Sequence, residues 1–445
     1  MSKFQEKYQW LNIERKFGPW LDNDEVPMVE AIRDYMQLHV KPRVWELEAA
    51  FHGGDIDSAW NVLAELNAPL VKMGLQRISI PECYGGLGLS LPCRLAIAEE
   101  MGRVDMAFTL LSGKAGWLSA PIFASDNEVL KKSVAEKVCS DDFWVGAVCF
   151  TEPQGGVNLE DITLQGRTGR VVARMDGDDY VLNGEKIFPG PSGPPEFFQR
   201  ERLKGHLGYL VVANTEVSAK NRGWDTIGLF YVPPCSKGLS FSTPYEKMGV
   251  TLDINRGIYF DDVRIPKAFR VGGPGVDARL YYGVILAGCF LGGACRLVGL
   301  ASGLFDRVLE NTSLREIEGK PLREHSLWAA IIGEMAEKIT AARAAYMFAA
   351  YAVQHPDIYG NMWDEDGPRN LCSGVRDVAG QAFRWVSERT MDLCAAYGYM
   401  CESGIEKIIR DAQVAIISPG GAQRDKLDMA LMYYPRQWNG KAAPV

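Results

Sequence analysis

The spacing of apolar residues changes period twice along the chain. From about Val26 to Cys139 it is helical: Val29, Ile32, Tyr35 and Met36 recur at steps of three and four. Ala59 to Met73 and Leu95 to Gly102 follow the same rule, which predicts helices that bury one face. The middle reads differently. Val171 to Met175 and Tyr180 to Leu182 are short β-rich runs around Asp176-Gly177-Asp178, a hairpin signal. Tyr209 to Ala213, Ile227 to Val232 and Ile258 to Phe260 are further strand candidates, with Pro and Gly between them. After Pro266 the helical period returns, clearest in Leu327, Ile331, Met335, Ile339, Ala342 and Tyr346. Four long segments, about 278–311, 325–354, 368–397 and 404–415, predict a terminal bundle. The expected fold class is α+β: a helical domain over 1–145, a β-barrel or sandwich domain over 146–268 and a four-helix bundle over 269–445.

Composition narrows the picture. A chain of 445 residues with 47% hydrophobic and 23% charged residues buries a large core. Its net charge of -8 argues against nucleic acid and anionic lipid, which need clustered Lys and Arg. The ten cysteines are scattered without CxxC spacing, as expected of reduced thiols in a cytoplasmic protein. The five histidines show no metal-ligand spacing, so no metal is expected. The first residues lack the apolar stretch and small-residue cleavage site of a secretory signal. The longest apolar run, Val284 to Phe305, contains Arg296 and many Gly and Ala, which suits a buried helix better than a membrane span. Glu99-Glu100 and Asp261-Asp262 are expected on solvated faces or turns.

Ordered motifs then give a resemblance. Pro81-Glu82-Cys83-Tyr84-Gly85-Gly86-Leu87-Gly88-Leu89-Ser90, Thr151-Glu152-Pro153 and Tyr180-Val181-Leu182-Asn183-Gly184-Glu185-Lys186-Ile187-Phe188 each resemble a segment of the acyl-CoA dehydrogenases. So do Glu246-Lys247-Met248-Gly249, Phe260-Asp261-Asp262-Val263-Arg264-Ile265-Pro266, Gly319-Lys320-Pro321-Leu322 and Arg410-Asp411-Ala412. The resemblance implies an acyl-CoA substrate, FAD as cofactor and an electron-transfer flavoprotein as electron acceptor. It also implies a homotetramer or dimer. Thr151, Phe188, Arg315, Gly420 and Gln423 stand at cofactor positions.

The chemistry departs from the family. Aligned from Arg410-Asp411-Ala412, the catalytic glutamate becomes Pro419, which offers neither a carboxylate nor an N–H to polarise a thioester carbonyl. Some relatives place the base earlier, and aligning Leu286-Ala287-Gly288 brings Tyr282 to that position, as a base of lowered pKa or as a pocket-lining aromatic. Lys114 is the only charge in 106–124; it could receive a second carboxylate or be a solvated, snorkelling lysine. Asp392 and Ala395-Ala396 stand where relatives have Gln and Gly-Gly, Gly190 replaces a flavin-contacting threonine, and Val157-Asn158 replaces a Ser-Asp turn.

Three readings stay open at this point. One is a flavin-dependent dehydrogenase with a relocated base acting on a cyclic or dicarboxylic acyl-CoA. Another is a different reaction on the thioester: C–C or C–S cleavage, hydration or hydrolysis, or monooxygenation. The third is a catalytically silent subunit of a hetero-oligomer. One fold hosts many reactions, so the site must decide.

Overall fold

The computed structural model describes residues 20–155, 169–364 and 367–434, with the backbone of 437–438 and 441–442. Val157 and Asn158 lie outside the described residues. The chain runs helices, sheet, helices. The first layer holds α1 (Val26–Tyr35), α2 (Val44–Gly53), α3 (Ile56–Lys72), α4 (Leu91–Gly102), α5 (Met106–Ser112), α6 (Lys114–Phe123) and α7 (Glu128–Val138). Side chains cap several of them: Asp55 accepts from Ser58 N, Ser90 from Cys93 N, Asp105 from Phe108 N and Asn127 from Leu130 N. Each cap satisfies a donor that the first turn leaves orphaned.

Among the described residues seven strands follow: β1 (Phe143–Cys149), β2 (Val172–Asp176), β3 (Asp179–Lys186), β4 (Leu203–Asn214), β5 (Ile227–Val232), β6 (Leu239–Phe241) and β7 (Ile258–Pro266). They form one mixed sheet in the order β1-β4-β2-β3-β7-β6, with β5 paired to β4. Phe230 of β5 meets Tyr180 of β3 with ring centroids 4.8 Å apart, although β4 and β2 intervene in the sheet. The sheet therefore curls over a core of its own, apart from the larger core that the helices share with β1, β4 and β5. Gly177, at φ 63, makes the β2–β3 turn. The segment Pro194 to Lys204 carries Phe198, fully buried against Trp60 of α3, and so staples the sheet to the first helices.

The last part is built around α8 (Leu286–Leu314), with α9 (Ser326–Gln354), α10 (Arg369–Cys394), α11 (Ile405–Ile417) and α12 (Gly421–Ala430) around it. The stretch 276–314 is long and apolar enough to cross a membrane, yet 78% of its most apolar window is buried inside the protein, as a core helix requires. Glycines let α4 approach closely: a Cβ on Gly299 would stand 2.3 Å from Glu99 O, and one on Gly303 2.4 Å from Arg103 O.

The paired acids of α4 are not on a solvated face. Glu99 and Glu100 are both 2% exposed. Glu99 accepts two bonds from Arg343 Nε and Nη2 and one from Tyr346, and Glu100 pairs with Arg33 at 3.1 Å. Burial of a carboxylate is tolerable only with such company. Asp261 and Asp262 are exposed, as the sequence suggests.

Candidate functional site

A cavity of about 740 Å³ opens between the sheet and the helices. Its sheet wall begins where β1 ends, with Val148, Phe150 and Thr151, and continues through Ile187 to Gly190 after β3. These two stretches are locked together from behind. Ile187 N donates to Thr151 O at 2.9 Å, and Lys186 Nζ bonds Glu152 at 2.8 Å and Phe150 O at 3.0 Å. Glu152 also accepts from Arg170 N and Val171 N. A buried pair with so many bonds fixes the shape of the wall. Phe188 adopts φ 65, so its ring, 57% exposed, turns outward beside Tyr245.

The helical wall comes from Gly288, Cys289, Gly293 and Arg296 of α8 and from the end of α11, with Gln413, Val414, Ser418, Pro419 and Gly420. Pro419 stands in the cavity, and its carbonyl accepts from Arg376 Nη2 at 2.6 Å. Arg376, 1% exposed, also forks onto Asp425. The loop Lys247–Asn255 links the two walls. Its Val250 N donates to Asp411 Oδ1 at 2.6 Å, and Met248 O accepts from Arg410 Nη1 at 3.0 Å. Lys407 ties Asp411 to Asp105 of the first layer; burial works against its charge, and the carboxylates of Asp105, Asp411 and Glu48 outweigh it and hold the ammonium charged.

Inside the cavity Lys114 Nζ and Asp253 Oδ2 pair at 2.9 Å, with residue exposures of 7% and 5%. Lys114 is thus no surface lysine; its ammonium also lies 5.5 Å from the Trp117 ring. Asp253 Oδ1 has no hydrogen-bond partner. Among the described lining residues, Asp253 is the one carboxylate. Gly190 makes room for it: a Cβ there would lie 2.4 Å from Asp253 Oδ1 and 2.5 Å from Asn255 Nδ2. Lys247 also lines the cavity, and its burial, opposed by Asp253, lowers its pKa to about 8. Behind this wall His206 is pushed down to about 4 by burial; its Nδ1 accepts from Gly208 N and its Nε2 lies 2.9 Å from Pro191 O.

Thr151, Phe188, Lys114, Pro419 and Gly420 therefore meet in one cavity. Tyr282 does not line it. Its ring is fully buried and stacked on Trp224, centroids 5.4 Å apart at 15°. The cause is local: Tyr281–Ile285 is a π turn, whose extra residue per turn rotates Tyr282 relative to α8. Arg315 and Gln423 also lie off the cavity, both exposed, Arg315 Nη1 reaching Leu393 O at 3.5 Å. Asp392 is paired with Arg389 at 2.7 Å. Ala395 keeps a positive φ of 50, the backbone shape of a glycine with a methyl added.

Sequence reasoning missed Asp253, Lys247 and Arg296 as lining residues. For Arg296 the signal was there, the lone charge in the apolar run Val284 to Phe305. For Asp253, in a loop without periodicity, there was none.

Comparison with known proteins agrees with this architecture. The family descriptions "Acyl-CoA dehydrogenase, N-terminal domain" and "Acyl-CoA dehydrogenase, C-terminal domain" match residues 22–142 and 291–430. The chain belongs to the acyl-CoA dehydrogenase superfamily, a family of enzymes. It is 25% identical over 411 residues to a cyclohex-1-ene-1-carbonyl-CoA dehydrogenase of Geobacter metallireducens, covering 91% of this chain and 96% of that one. It is 26% identical over 369 residues to a glutaryl-CoA dehydrogenase of Desulfococcus multivorans, covering 82% and 86%. Among solved structures, an acyl-CoA dehydrogenase complexed with FAD from Bacillus anthracis superposes with a TM-score of 0.76 at 21% identity, covering 93% of this chain and 67% of that one.

Proposed function

We propose that this chain is a FAD-dependent oxidoreductase acting on a cyclic or dicarboxylic acyl-CoA, with its base moved away from the usual glutamate position. The observation that carries the reading is the single cavity that joins Thr151 and Phe188, the ring-side positions, to an apolar recess lined by Met106, Leu110 and Trp117 and containing one carboxylate. The relatives described as acting on cyclohex-1-ene-1-carbonyl-CoA and glutaryl-CoA support the substrate class.

The residues present fit the cofactor. Thr151 and Phe188 would hold the ring, and the exchange of a threonine for Gly190 is compensated by Asp253, which fills the space of the missing Cβ. Arg315 and Gln423, exposed on one chain, would reach the cofactor of a neighbouring subunit in a homotetramer or dimer. Bound FAD supplies the hydride acceptor, with an electron-transfer flavoprotein as the eventual recipient of the electrons.

Asp253 Oδ1 is the candidate proton acceptor, in place of Tyr282. It is buried and not hydrogen-bonded. Lys114 is a positioning residue, holding the second oxygen at 2.9 Å.

A second reading is favoured by Pro419. The segment that carries it is anchored by Arg376 without any reacting group. A different reaction on the thioester (C–C or C–S cleavage, hydration, hydrolysis or monooxygenation) or a silent subunit of a hetero-oligomer would need nothing else there. The deciding experiment is the visible spectrum of protein purified with FAD, before and after adding cyclic, dicarboxylic and straight-chain acyl-CoAs. Flavin bands bleached by substrate, and not bleached in Asp253→Asn, support the dehydrogenase. Bands that no acyl-CoA bleaches favour the second reading, and absent bands end the redox proposal.

A further inference from the structure

We infer that Arg296 receives an anionic group at the far end of the acyl chain, which makes the substrate the mono-CoA thioester of a dicarboxylic acid. This rests on the reading that the cavity takes an acyl-CoA, and it selects the dicarboxylic over the cyclic class. Arg296 lies on α8 and lines the same cavity as Met106, Leu110 and Gly113. Its guanidinium is built into the wall. A Cβ on Gly292 would stand 2.7 Å from Nη1, and one on Gly113 would stand 3.8 Å from Nη2. On α4, a Cβ on Gly102 would come within 3.4 Å of the Arg296 backbone. Glycine at 292 leaves room for the charge, glycine at 102 lets α4 pack on the Arg296 backbone, and Nη1 donates to Gly292 O at 2.9 Å.

What Arg296 lacks is a counter-charge. Four arginines of the surrounding helices have one each: Arg33 with Glu100, Arg103 with Asp306, Arg343 with Glu99 and Arg376 with Asp425. Among the described residues no carboxylate lies within ion-pair distance of Arg296, and its buried Nε has no hydrogen-bond partner. A guanidinium cannot escape by losing its proton, and an uncompensated charge facing apolar walls is costly. A carboxylate entering the cavity would satisfy two of its donors in fork geometry. Lys114 cannot serve equally, because Asp253 already holds it.

The test measures binding and not turnover, so it does not depend on which group is the base. Dissociation constants of the FAD-loaded protein are determined by calorimetry for adipyl-CoA and hexanoyl-CoA, equal in chain length and different only at the terminus. Glutaryl-CoA against pentanoyl-CoA and suberyl-CoA against octanoyl-CoA bracket the length. The wild type is expected to prefer the dicarboxylic member of the best pair by roughly 30-fold or more, the scale of a buried charge finding its partner. Arg296→Gln should abolish that preference by weakening the dicarboxylic thioester alone, and Arg296→Lys should retain part of it. Equal binding of both members by the wild type across all three pairs overturns this proposal and leaves the acyl-CoA reading standing. Loss of both members alike in Arg296→Gln also overturns it, and failure of every thioester to bind overturns the acyl-CoA reading with it.

Discussion

Asp253 meets Lys114 at 2.9 Å inside the cavity and leaves its other oxygen unbonded. Removing either member strands the other charge in a buried place. Asp253→Leu alone is expected to destabilise the protein by about 3 to 5 kcal/mol, whereas adding Lys114→Met should recover most of the loss. Urea unfolding of the two single variants and the double variant closes the cycle. Additive effects would show that the two charges do not interact.

Pro419→Glu would restore a carboxylate and a backbone N–H on the helical wall. If the rest of the machinery is intact, flavin reduction by a bound acyl-CoA should accelerate by roughly 100-fold or more, the usual worth of a positioned base. Stopped-flow bleaching at the flavin band measures it. An unchanged rate would mean that proton abstraction is not what limits this chain.

His206 should make the protein acid-sensitive. Its folded pKa of about 4 lies below the ordinary value of 6.5, chiefly through burial, with Lys114 adding to the effect and the contact to Pro191 O opposing it. Between those two values the unfolded chain binds a proton that the folded chain refuses, so stability falls as pH falls through 6.5 toward 4. His206→Gln keeps a donor for Pro191 O without the titration. Its unfolding midpoint, compared with the wild type at pH 7.5 and at pH 4.5, should lose less on acidification; an identical acid loss in both proteins would assign the sensitivity elsewhere.

Ala395, at φ 50 and ψ -133, sits in a region that an L residue occupies at a cost. Ala395→Gly should therefore raise stability by about 1 kcal/mol. If the loop meets the cofactor, the substitution should not weaken FAD retention. Thermal unfolding and the flavin-to-protein absorbance ratio check both parts, and a lower melting temperature would contradict the strain.

Much of the architecture is legible in periodicity. The helices predicted over 325–354 and 404–415 are found at Ser326–Gln354 and Ile405–Ile417. Strand β1 escapes because nearly all of it is buried, so no alternation marks it, and β6 has only three residues. The site was harder to read for a physical reason. Motifs reveal positions that line the cavity, such as Thr151 and Phe188, but not pairs made by folding: Lys114 and Asp253 come from a helix and a distant loop, and only packing joins them. Tyr282 fails for another reason, since matching letters assumes an uninterrupted α-helix and the π turn breaks that register.

The bond from Arg376 to the Pro419 carbonyl has a wider consequence. It fixes the segment through its backbone, so the side chain at 419 is free to vary while the contour of the cavity stays put. Contour and reactivity are uncoupled at this position: the pocket can change its chemistry by exchanging one residue, without rebuilding the scaffold that shapes it.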